Sequence, residues 1–305
     1  MSTVPRHDVP KRGRSGFVIV DGRQVHYLEW GHGGLPGVLC LHGGGQTAYM
    51  FEELGAALAD RAHVLAPDLP SHGDSDPSDT APMAPGGPLH LGIADTMPPL
   101  LDAFGLDRVV LVGASLGGMA GITLADQAPE RVAGIALIDV AHKLEAEGVR
   151  KIVDFMSAHE SFASLEEAAA AIAEYLPRRK APRVESLTRN LRQRPDGRWE
   201  WKHAVGRRMR EHRESGGDSP HVADNLQLVM SGVEESARRI RCPVLVLRGE
   251  HSDVLSEDGA ADLVDLVPDG RVALVADAGH LAAGDNPHTT VDIVVEFLDD
   301  LAWRP

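Results

Sequence analysis

The sharpest restriction on the fold comes from residues 113–118, which read Gly-Ala-Ser-Leu-Gly-Gly. A run rich in Val and Leu, residues 108–112, precedes this segment, and a helix-compatible stretch, residues 119–128, follows it. The spacing Gly-x-Ser-x-Gly predicts a strand, a sharp turn and a helix, with the serine at the apex. Such a turn strains the serine backbone, and glycines two positions away remove the side chains that would crowd it. The pattern indicates a nucleophile elbow that exposes the hydroxyl of Ser115.

Short apolar runs alternate with helix-compatible stretches on both sides of this turn. The runs occupy residues 38–41, 63–66, 132–138, 244–247 and 272–275. Continuous apolar runs of this length suit strands that are buried on both faces. Near the start, Asp21-Gly22 between two alternating runs predicts a β-hairpin. The alternation predicts an α/β fold with a mostly parallel central sheet flanked by helices.

The alternation of short apolar runs with helix-compatible stretches is absent between residues 142 and 235. This stretch holds the capping-box pattern Ser-Leu-Glu-Glu at residues 164–167 and few strand signals, so it predicts a mainly helical insertion. We therefore predict one core made of residues 17–141 and 236–305, with residues 142–235 as a cap, or lid, over it. Residues 1–16 are polar and contain prolines and glycines, which predicts a flexible N-terminal tail.

Composition narrows the classes of partner. The chain has 305 residues, of which 43% are hydrophobic, and its formal net charge is −15. A surface this acidic repels nucleic acid and anionic lipid, so we expect neither nucleic acid nor a membrane as a partner. No apolar stretch resembles a signal peptide or approaches the roughly 18 residues of a membrane span. We expect a cytoplasmic protein that binds a small molecule, with a homodimer left open and with Cys40 and Cys242 buried and reduced.

An elbow serine needs a base that accepts its proton and an acid that orients the base. His280 lies just past a late strand, in the segment Asp-Ala-Gly-His-Leu. Loops at the carboxyl ends of parallel strands face the same edge of the sheet as the elbow. We therefore predict that His280 is the base for Ser115.

Two aspartates are candidates for the acid. Asp253 follows the strand at residues 244–247, and Asp139 ends the strand at residues 132–138. Both positions are at carboxyl ends of predicted strands. We favour Asp253, since it follows the penultimate strand, the usual position of the acid in this kind of fold, and we keep Asp139 as the alternative.

A tetrahedral intermediate also needs backbone amides that donate to its oxyanion. The amide of Leu116, the residue after the nucleophile, is one candidate. The second should come from the glycine run after the strand at residues 38–41, where glycines allow a close approach of the backbone to substrate. We predict Gly44 for this role, with Gly43 as the neighbouring choice.

Together these segments resemble the α/β-hydrolase superfamily, in its cap-bearing branch. The resemblance covers about residues 17–302 and rests on five segments in the family's order: His-Gly-Gly-Gly-Gln, Asp-Leu-Pro-Ser-His-Gly-Asp-Ser, Gly-Ala-Ser-Leu-Gly-Gly, Gly-Glu-His-Ser-Asp and Ala-Gly-His. It implies a carboxylesterase-like serine hydrolase that cleaves an ester or lactone of a small, largely apolar substrate through an acyl-enzyme. Haloalkane dehalogenases and epoxide hydrolases of the superfamily carry aspartate at the elbow, where this chain has Ser115, so neither activity is expected.

The cap should supply the roof of the substrate pocket. Its large side chains are the candidates for lining this pocket: Phe155, Met156, Phe162, Trp199 and Trp201. For each of them the other interpretation is a place in the small core of the cap itself.

Two other functions stay open from the sequence. One is an enzyme of the same fold that cleaves a carbon–carbon bond or acts as a lyase, and the other is a small-molecule receptor that keeps the triad. The sequence contains neither His-Glu-x-x-His nor Cys-x-x-Cys, and it has no phosphate loop and no dinucleotide-binding fingerprint. We therefore expect no metal and no cofactor.

Overall fold

The structure is a computed structural model that describes residues 13–77, 89–179, 182–204, 214 and 220–301. In chain order its strands are β1 (Arg14–Val20), β2 (Arg23–Trp30), β3 (Gly37–Leu41), β4 (His63–Pro67), β5 (Val109–Ala114), β6 (Val132–Ile138), β7 (Leu191–Gln193), β8 (Trp199–Trp201), β9 (Val244–Gly249) and β10 (Gly270–Val275). Its α-helices are α1 (Glu52–Leu58), α2 (Leu89–Ala103), α3 (Leu116–Gln127), α4 (Ala146–Ala158), α5 (Leu165–Tyr175), α6 (Pro220–Ala237), α7 (Glu257–Leu266), α8 (Ala282–Asp285) and α9 (Pro287–Asp300). Short 3-10 helices span Ala48–Phe51, Pro129–Arg131 and Val184–Arg189.

An eight-stranded sheet in the order β1-β2-β4-β3-β5-β6-β9-β10 forms the centre of the protein. β1 pairs with β2, and β2 with β4, in antiparallel fashion, whereas the other neighbouring strands are parallel. Asp21 and Gly22 join β1 to β2 with positive φ angles of 50° and 76°, as the predicted hairpin requires. The predicted α/β fold, with its mostly parallel sheet, is confirmed.

The apolar core lies in two layers, one on each face of the sheet. On β3, Leu39 and Leu41 pack into one cluster, whereas Val38 and Cys40 pack into the other. Strand β5 divides its side chains between the two clusters in the same way, because successive side chains of a strand point to opposite faces. Cys40 and Cys242 are both buried and unpaired, as expected. Within the described residues, no helix is long and apolar enough to cross a membrane.

The start of the core differs from the prediction. Residues 1–12 of the expected tail lie outside the described part of the chain. Residues 14–16, which we assigned to the tail, belong to β1, where Arg14 lies opposite Glu29 and Gly16 opposite Tyr27. The sequence did not predict this part of β1, because Arg14, Ser15 and Gly16 show no alternation of apolar and polar residues. Their strand conformation comes from pairing with β2.

The inserted segment contains helices α4 and α5, a 3-10 turn and the small hairpin β7–β8. Its own core consists of Phe162, Ala168, Leu187 and Leu191. Ahead of the predicted boundary at residue 235, α6 already buries Met230 and Val233 in the main core, in the same cluster as residues of α3. We use the term cap for the elements from α4 to β8.

Candidate active site

Ser115 occupies a sharp turn between β5 and α3. Its φ of 45° and ψ of −115° lie in a region that side-chain-bearing residues rarely adopt. A Cβ on Gly113 would lie 2.6 Å from the Cα of Gly118, and a Cβ on Gly117 would overlap the carbonyl oxygen of Leu41. The two glycines of the motif are therefore required by packing around the turn. The structure has the strand, turn and helix that the sequence predicts.

His280 binds Asp139, the acid that we had kept as the alternative. The imidazole Nδ1 lies 2.8 Å from Oδ2 of Asp139, whose side chain is fully buried. Asp139 follows β6, the strand next to β5, and the amide of Ser115 donates to the carbonyl of Ile138 over 3.3 Å. Ser115 and Asp139 are therefore neighbours at the carboxyl ends of adjacent strands. No hydrogen bond joins Ser115 to His280 among the described residues, and such bonds often tighten only when substrate is bound.

The choice of Asp253 as the partner of His280 is wrong. Its carboxylate is exposed and pairs with Nζ of Lys151 in the cap at 3.0 Å. The chain after β9 turns the side chain of Asp253 outward, while its main chain packs under α4. A Cβ on Gly148 of α4 would overlap the carbonyl of Asp253, and the amide of Glu145 donates to Val254 over 2.8 Å.

The loop that was expected to carry the acid supplies hydrogen-bond donors to Asp139 instead. The amide of Gly249 donates to Oδ1 over 2.9 Å, and the hydroxyl of Ser252 donates to Oδ2 over 2.5 Å. With His280, these give three donors to a carboxylate that solvent does not reach. Buried polar atoms require such partners. The position of Asp139 directly after the strand beside the elbow was the signal in the sequence that favoured it.

The predicted oxyanion donors differ in their availability. The amide of Gly43 donates to Oε1 of Gln46 over 3.1 Å, so this amide is already occupied. The amide of Gly44 has no acceptor within the described part of the chain, and Leu116 is the first residue of α3, where an amide has no intrahelical acceptor. The geometry favours Gly44 and Leu116 over Gly43.

His42 holds the glycine loop in place through hydrogen bonds to the backbone. Its Nδ1–H donates to the carbonyl of Gly43 over 2.8 Å, and its Nε2 accepts the amide of Leu69 over 2.9 Å. Both ring nitrogens are used by the backbone, and burial lowers the pKa of His42. His42 is therefore a neutral support of the loop and is not a base.

Two more histidines, the buried His72 and the partly buried His203, continue this cluster towards the cap. The ring of His72 lies 5.2 Å from that of His42 and 6.1 Å from that of His203. Burial lowers the pKa of His72 well below its usual range and that of His203 to about 4. All three imidazoles are therefore neutral at pH 7.

This cluster predicts a loss of stability in mild acid. The unfolded chain binds protons on these histidines below their ordinary pKa of about 6.5. In the folded chain burial lowers the pKa of all three, that of His203 to about 4. Stability is therefore complete above pH 6.5 and falls as the pH drops towards 4. We expect Tm to fall by about 5 °C between pH 7 and pH 5, and the His203→Gln variant to show a smaller fall. Differential scanning calorimetry checks this, and an unchanged Tm over this range would contradict it.

A cavity of about 1370 Å³ lies between the cap and the core and reaches His280. Phe155, one of the predicted pocket residues, lines it and stacks on Tyr175 with the ring centroids 4.1 Å apart. The lining also carries charged side chains of both signs: Lys151, Asp154, Glu174, Arg178, Arg179, Arg183, Asp253, Asp277 and Asp285. The expected apolar character therefore applies to only part of this surface.

The other predicted pocket residues divide between two environments. Met156 and Trp201 line a separate cavity of about 180 Å³ at the seam between cap and core. Phe162 is fully buried in the core of the cap, and Trp199 packs against the same cluster and pairs with Phe162 through the backbone. Phe162 and Trp199 are therefore residues of the cap core, since large apolar side chains serve both purposes and their spacing does not separate them.

Two groups of described side chains bring a histidine and two carboxylates close together. In the first, His26 and Asp74 lie beside Asp68, which already accepts from Nδ1 of His26 at 2.7 Å and from two backbone amides. In the second, Glu250, His251 and Asp277 are exposed, and Glu250 accepts the amide of Asp277 over 2.9 Å. Hydrogen bonds within each group account for these arrangements, and we assign no metal to either.

The comparisons with known proteins agree with this geometry. Residues 36–287 match the model of the alpha/beta hydrolase fold family. Esterase Rv0045c of Mycobacterium tuberculosis is 29% identical over 292 residues, which cover 92% of this chain and 88% of the esterase. The 2-(acetamidomethylene)succinate hydrolase of Mesorhizobium japonicum is 26% identical, and the alignment covers 87% of this chain and 88% of the hydrolase.

Solved structures give the same result. The crystal structure of E-2-(acetamidomethylene)succinate hydrolase covers 94% of this chain and 99% of its own with a TM-score of 0.76, at 23% identity. A structure of the Mycobacterium tuberculosis esterase covers 94% of this chain and 92% of its own with a TM-score of 0.69, at 25% identity. The elbow and the sheet order point the same way as these matches, and the chain belongs to the alpha/beta hydrolase fold family.

Proposed function

We propose that this protein is a serine hydrolase that cleaves carboxylic esters through an acyl-enzyme. The observation that carries the proposal is the strained Ser115 after β5, beside Asp139 after β6. Asp139 in turn holds His280, which comes from the loop after β10. The names of several similar proteins support ester bonds as the target: an esterase, a lipase and a 3-hydroxybutyrate-oligomer hydrolase.

In the acylation step, Oγ of Ser115 attacks the ester carbonyl while Nε2 of His280 takes the hydroxyl proton. Asp139 accepts the Nδ1–H of His280, which leaves Nε2 free to act as the base, and its charge stabilises the imidazolium that forms. The amides of Gly44 and Leu116 donate to the oxyanion. His280 then gives the proton to the departing alkoxide, and the alcohol leaves.

Deacylation repeats these roles with water as the nucleophile. His280 takes a proton from the water, which attacks the acyl carbonyl, and the same amides hold the second oxyanion. When the intermediate collapses, the proton returns to Oγ of Ser115 and the carboxylic acid leaves. The cavity at His280 is the proposed place of the substrate, with Phe155 and Tyr175 as its apolar contacts and a small linear ester or a lactone as the ligand.

A panel of chromogenic esters of graded acyl length, together with lactones, tests this proposal. We expect saturable turnover of short-chain esters by the purified protein and stoichiometric labelling by a fluorophosphonate probe. A receptor that keeps the triad would bind without turnover. An enzyme for carbon–carbon bonds would cleave a diketone-type probe at least as fast as the esters. Either of these results would overturn the proposal.

The rate should depend on pH through His280. The base must be neutral to accept the serine proton. We expect kcat/KM to rise with pH along one acidic limb, measured only where Tm shows that the protein is folded. A flat profile from pH 5 to 9, with chemistry as the slow step, would remove His280 from this role.

A further inference from the structure

We propose that Ser252 is a positioning residue of the active site, whose hydroxyl holds Asp139 in the orientation that serves His280. The proposal rests on the function proposed above for Asp139 and His280. Ser252 belongs to the loop after β9, residues 250–255, and lies between a fully buried carboxylate and the surface.

The hydroxyl of Ser252 shares an acceptor with the base. It donates to Oδ2 of Asp139 over 2.5 Å, and Nδ1 of His280 lies 2.8 Å from the same oxygen. The other oxygen, Oδ1, accepts the amide of Gly249 over 2.9 Å. Rotation of the carboxylate would break at least one of these contacts, so Ser252 and Gly249 fix the plane in which Asp139 meets His280.

The direction of the Ser252 hydroxyl is itself determined. Its Oγ accepts the amides of Val254, over 3.2 Å, and of Leu255, over 3.0 Å. A hydroxyl has two acceptor sites and one proton. The two amides occupy the acceptor sites, so the proton is directed to Asp139. Ser252 is therefore held as a donor before any substrate arrives.

A serine that only stabilised the loop would need no such donor contact. Ser256 is a matched example four residues later, because its Oγ accepts the amide of Gly259 over 3.2 Å and caps the start of α7. Both hydroxyls accept backbone amides, but only that of Ser252 reaches Asp139. Comparing substitutions of Ser252 and Ser256 therefore separates an effect on loop stability from an effect on the position of Asp139.

Loss of the hydroxyl should act on the chemistry through His280. Without this donor the carboxylate can rotate out of the plane in which it meets His280, which lowers kcat. Its charge is also shared with fewer partners and favours the protonated imidazole of the resting enzyme, which moves the pH limb upward. We expect Ser252→Ala to lower kcat about tenfold with little change in KM, and to move the limb of the pH profile to higher pH. Ser252→Thr, which restores the hydroxyl, should return both values to within about twofold of wild type.

The experiment compares Ser252→Ala, Ser252→Thr and Ser256→Ala with the wild type. The kinetic readouts are kcat, KM and the pH limb with one chromogenic ester. A titration of His280 by NMR of histidine-labelled protein, with Tm as the folding control, is a readout that needs no turnover. We expect Ser256→Ala to lower Tm but to leave the kinetic profile and the His280 titration as in the wild type.

Two outcomes would overturn the proposal for Ser252. One is a Ser252→Ala protein that loses stability like Ser256→Ala and titrates His280 at the wild-type pH. The other is a Ser252→Thr protein with wild-type Tm that behaves like Ser252→Ala. If the wild type cleaves no ester, the proposed function fails, and the His280 titration then decides alone on the role of Ser252.

Discussion

Ser115→Ala is expected to reduce ester turnover by about 10⁶-fold, while the protein stays folded. The acyl-enzyme needs an oxygen nucleophile at the elbow, and alanine offers none. Its Cβ fits the same backbone position, so the strained turn and the Tm should change little. Initial rates with a chromogenic ester and mass spectrometry after fluorophosphonate treatment measure the effect, and the label should be absent from the variant.

Ser231→Ala is the control for this substitution. Ser231 is exposed on α6, where its hydroxyl donates to the carbonyl of Gln227 in the same helix, over 2.9 Å. It should keep the wild-type rate and label fully. Turnover by a clean Ser115→Ala preparation within about tenfold of the wild type would show that Ser115 is not the nucleophile.

Asp139→Asn is expected to lower kcat by about 10² to 10⁴-fold. The amide keeps the size of the side chain but loses the charge that stabilises the imidazolium and the acceptor that selects the Nδ1–H tautomer. Three donors surround Asp139, and asparagine has one oxygen for them, so a loss of stability of about 1 to 3 kcal/mol should accompany the kinetic effect. The kcat of the folded fraction, measured by active-site titration, separates the two effects.

Asp253→Asn is the matched control, because the same change of atoms occurs at an exposed carboxylate. Asp253 contacts Lys151 and no triad residue, and exposed ion pairs contribute little. We expect its kcat within about twofold of wild type. If Asp253→Asn is the inactive variant and Asp139→Asn is nearly unchanged, Asp253 is the acid and the contact with His280 seen here is incidental to catalysis.

The elbow could be predicted from sequence because its causes are local. The strain at Ser115 and the need for Gly113 and Gly117 arise within a few residues of the turn, and a short pattern records them. The sheet could be predicted from sequence equally well, since runs such as residues 244–247 are apolar throughout and form strands buried on both faces.

The choice between the two aspartates depends on contacts between distant segments. A Cβ on Gly249 would overlap the carbonyl of Gly279, so the loop after β9 passes close beside the loop that carries His280. This approach brings the amide of Gly249 to Asp139 and turns the side chain of Asp253 outward. The rank of a strand along the chain does not contain this information, and the usual position of the acid misled us.

The environments of the cap residues also depend on contacts between distant segments, which the sequence does not record. Phe155 and Phe162 are both phenylalanines in the insertion, yet Phe155 lines the cavity at His280 and Phe162 is fully buried in the core of the cap. Which way each faces depends on how α4, α5 and the hairpin β7–β8 pack together. No helical period extends across these elements, so the sequence alone did not assign the two residues.

The attachment of α4 to the loop after β9 limits how the cap can open. Gly148 leaves no space above the carbonyl of Asp253, and the amide of Glu145 is bonded to Val254, so the first turn of α4 is fixed to the loop that also holds Asp139. Lifting this end would pull on the acid itself. The hairpin end of the cap is bonded to the core as well, through Asn190 with Thr47 over 3.1 Å and Lys202 with Asp74 over 2.8 Å. The cap is therefore attached to the core at both ends, and only the attachment at α4 shares a loop with the residues that hold Asp139.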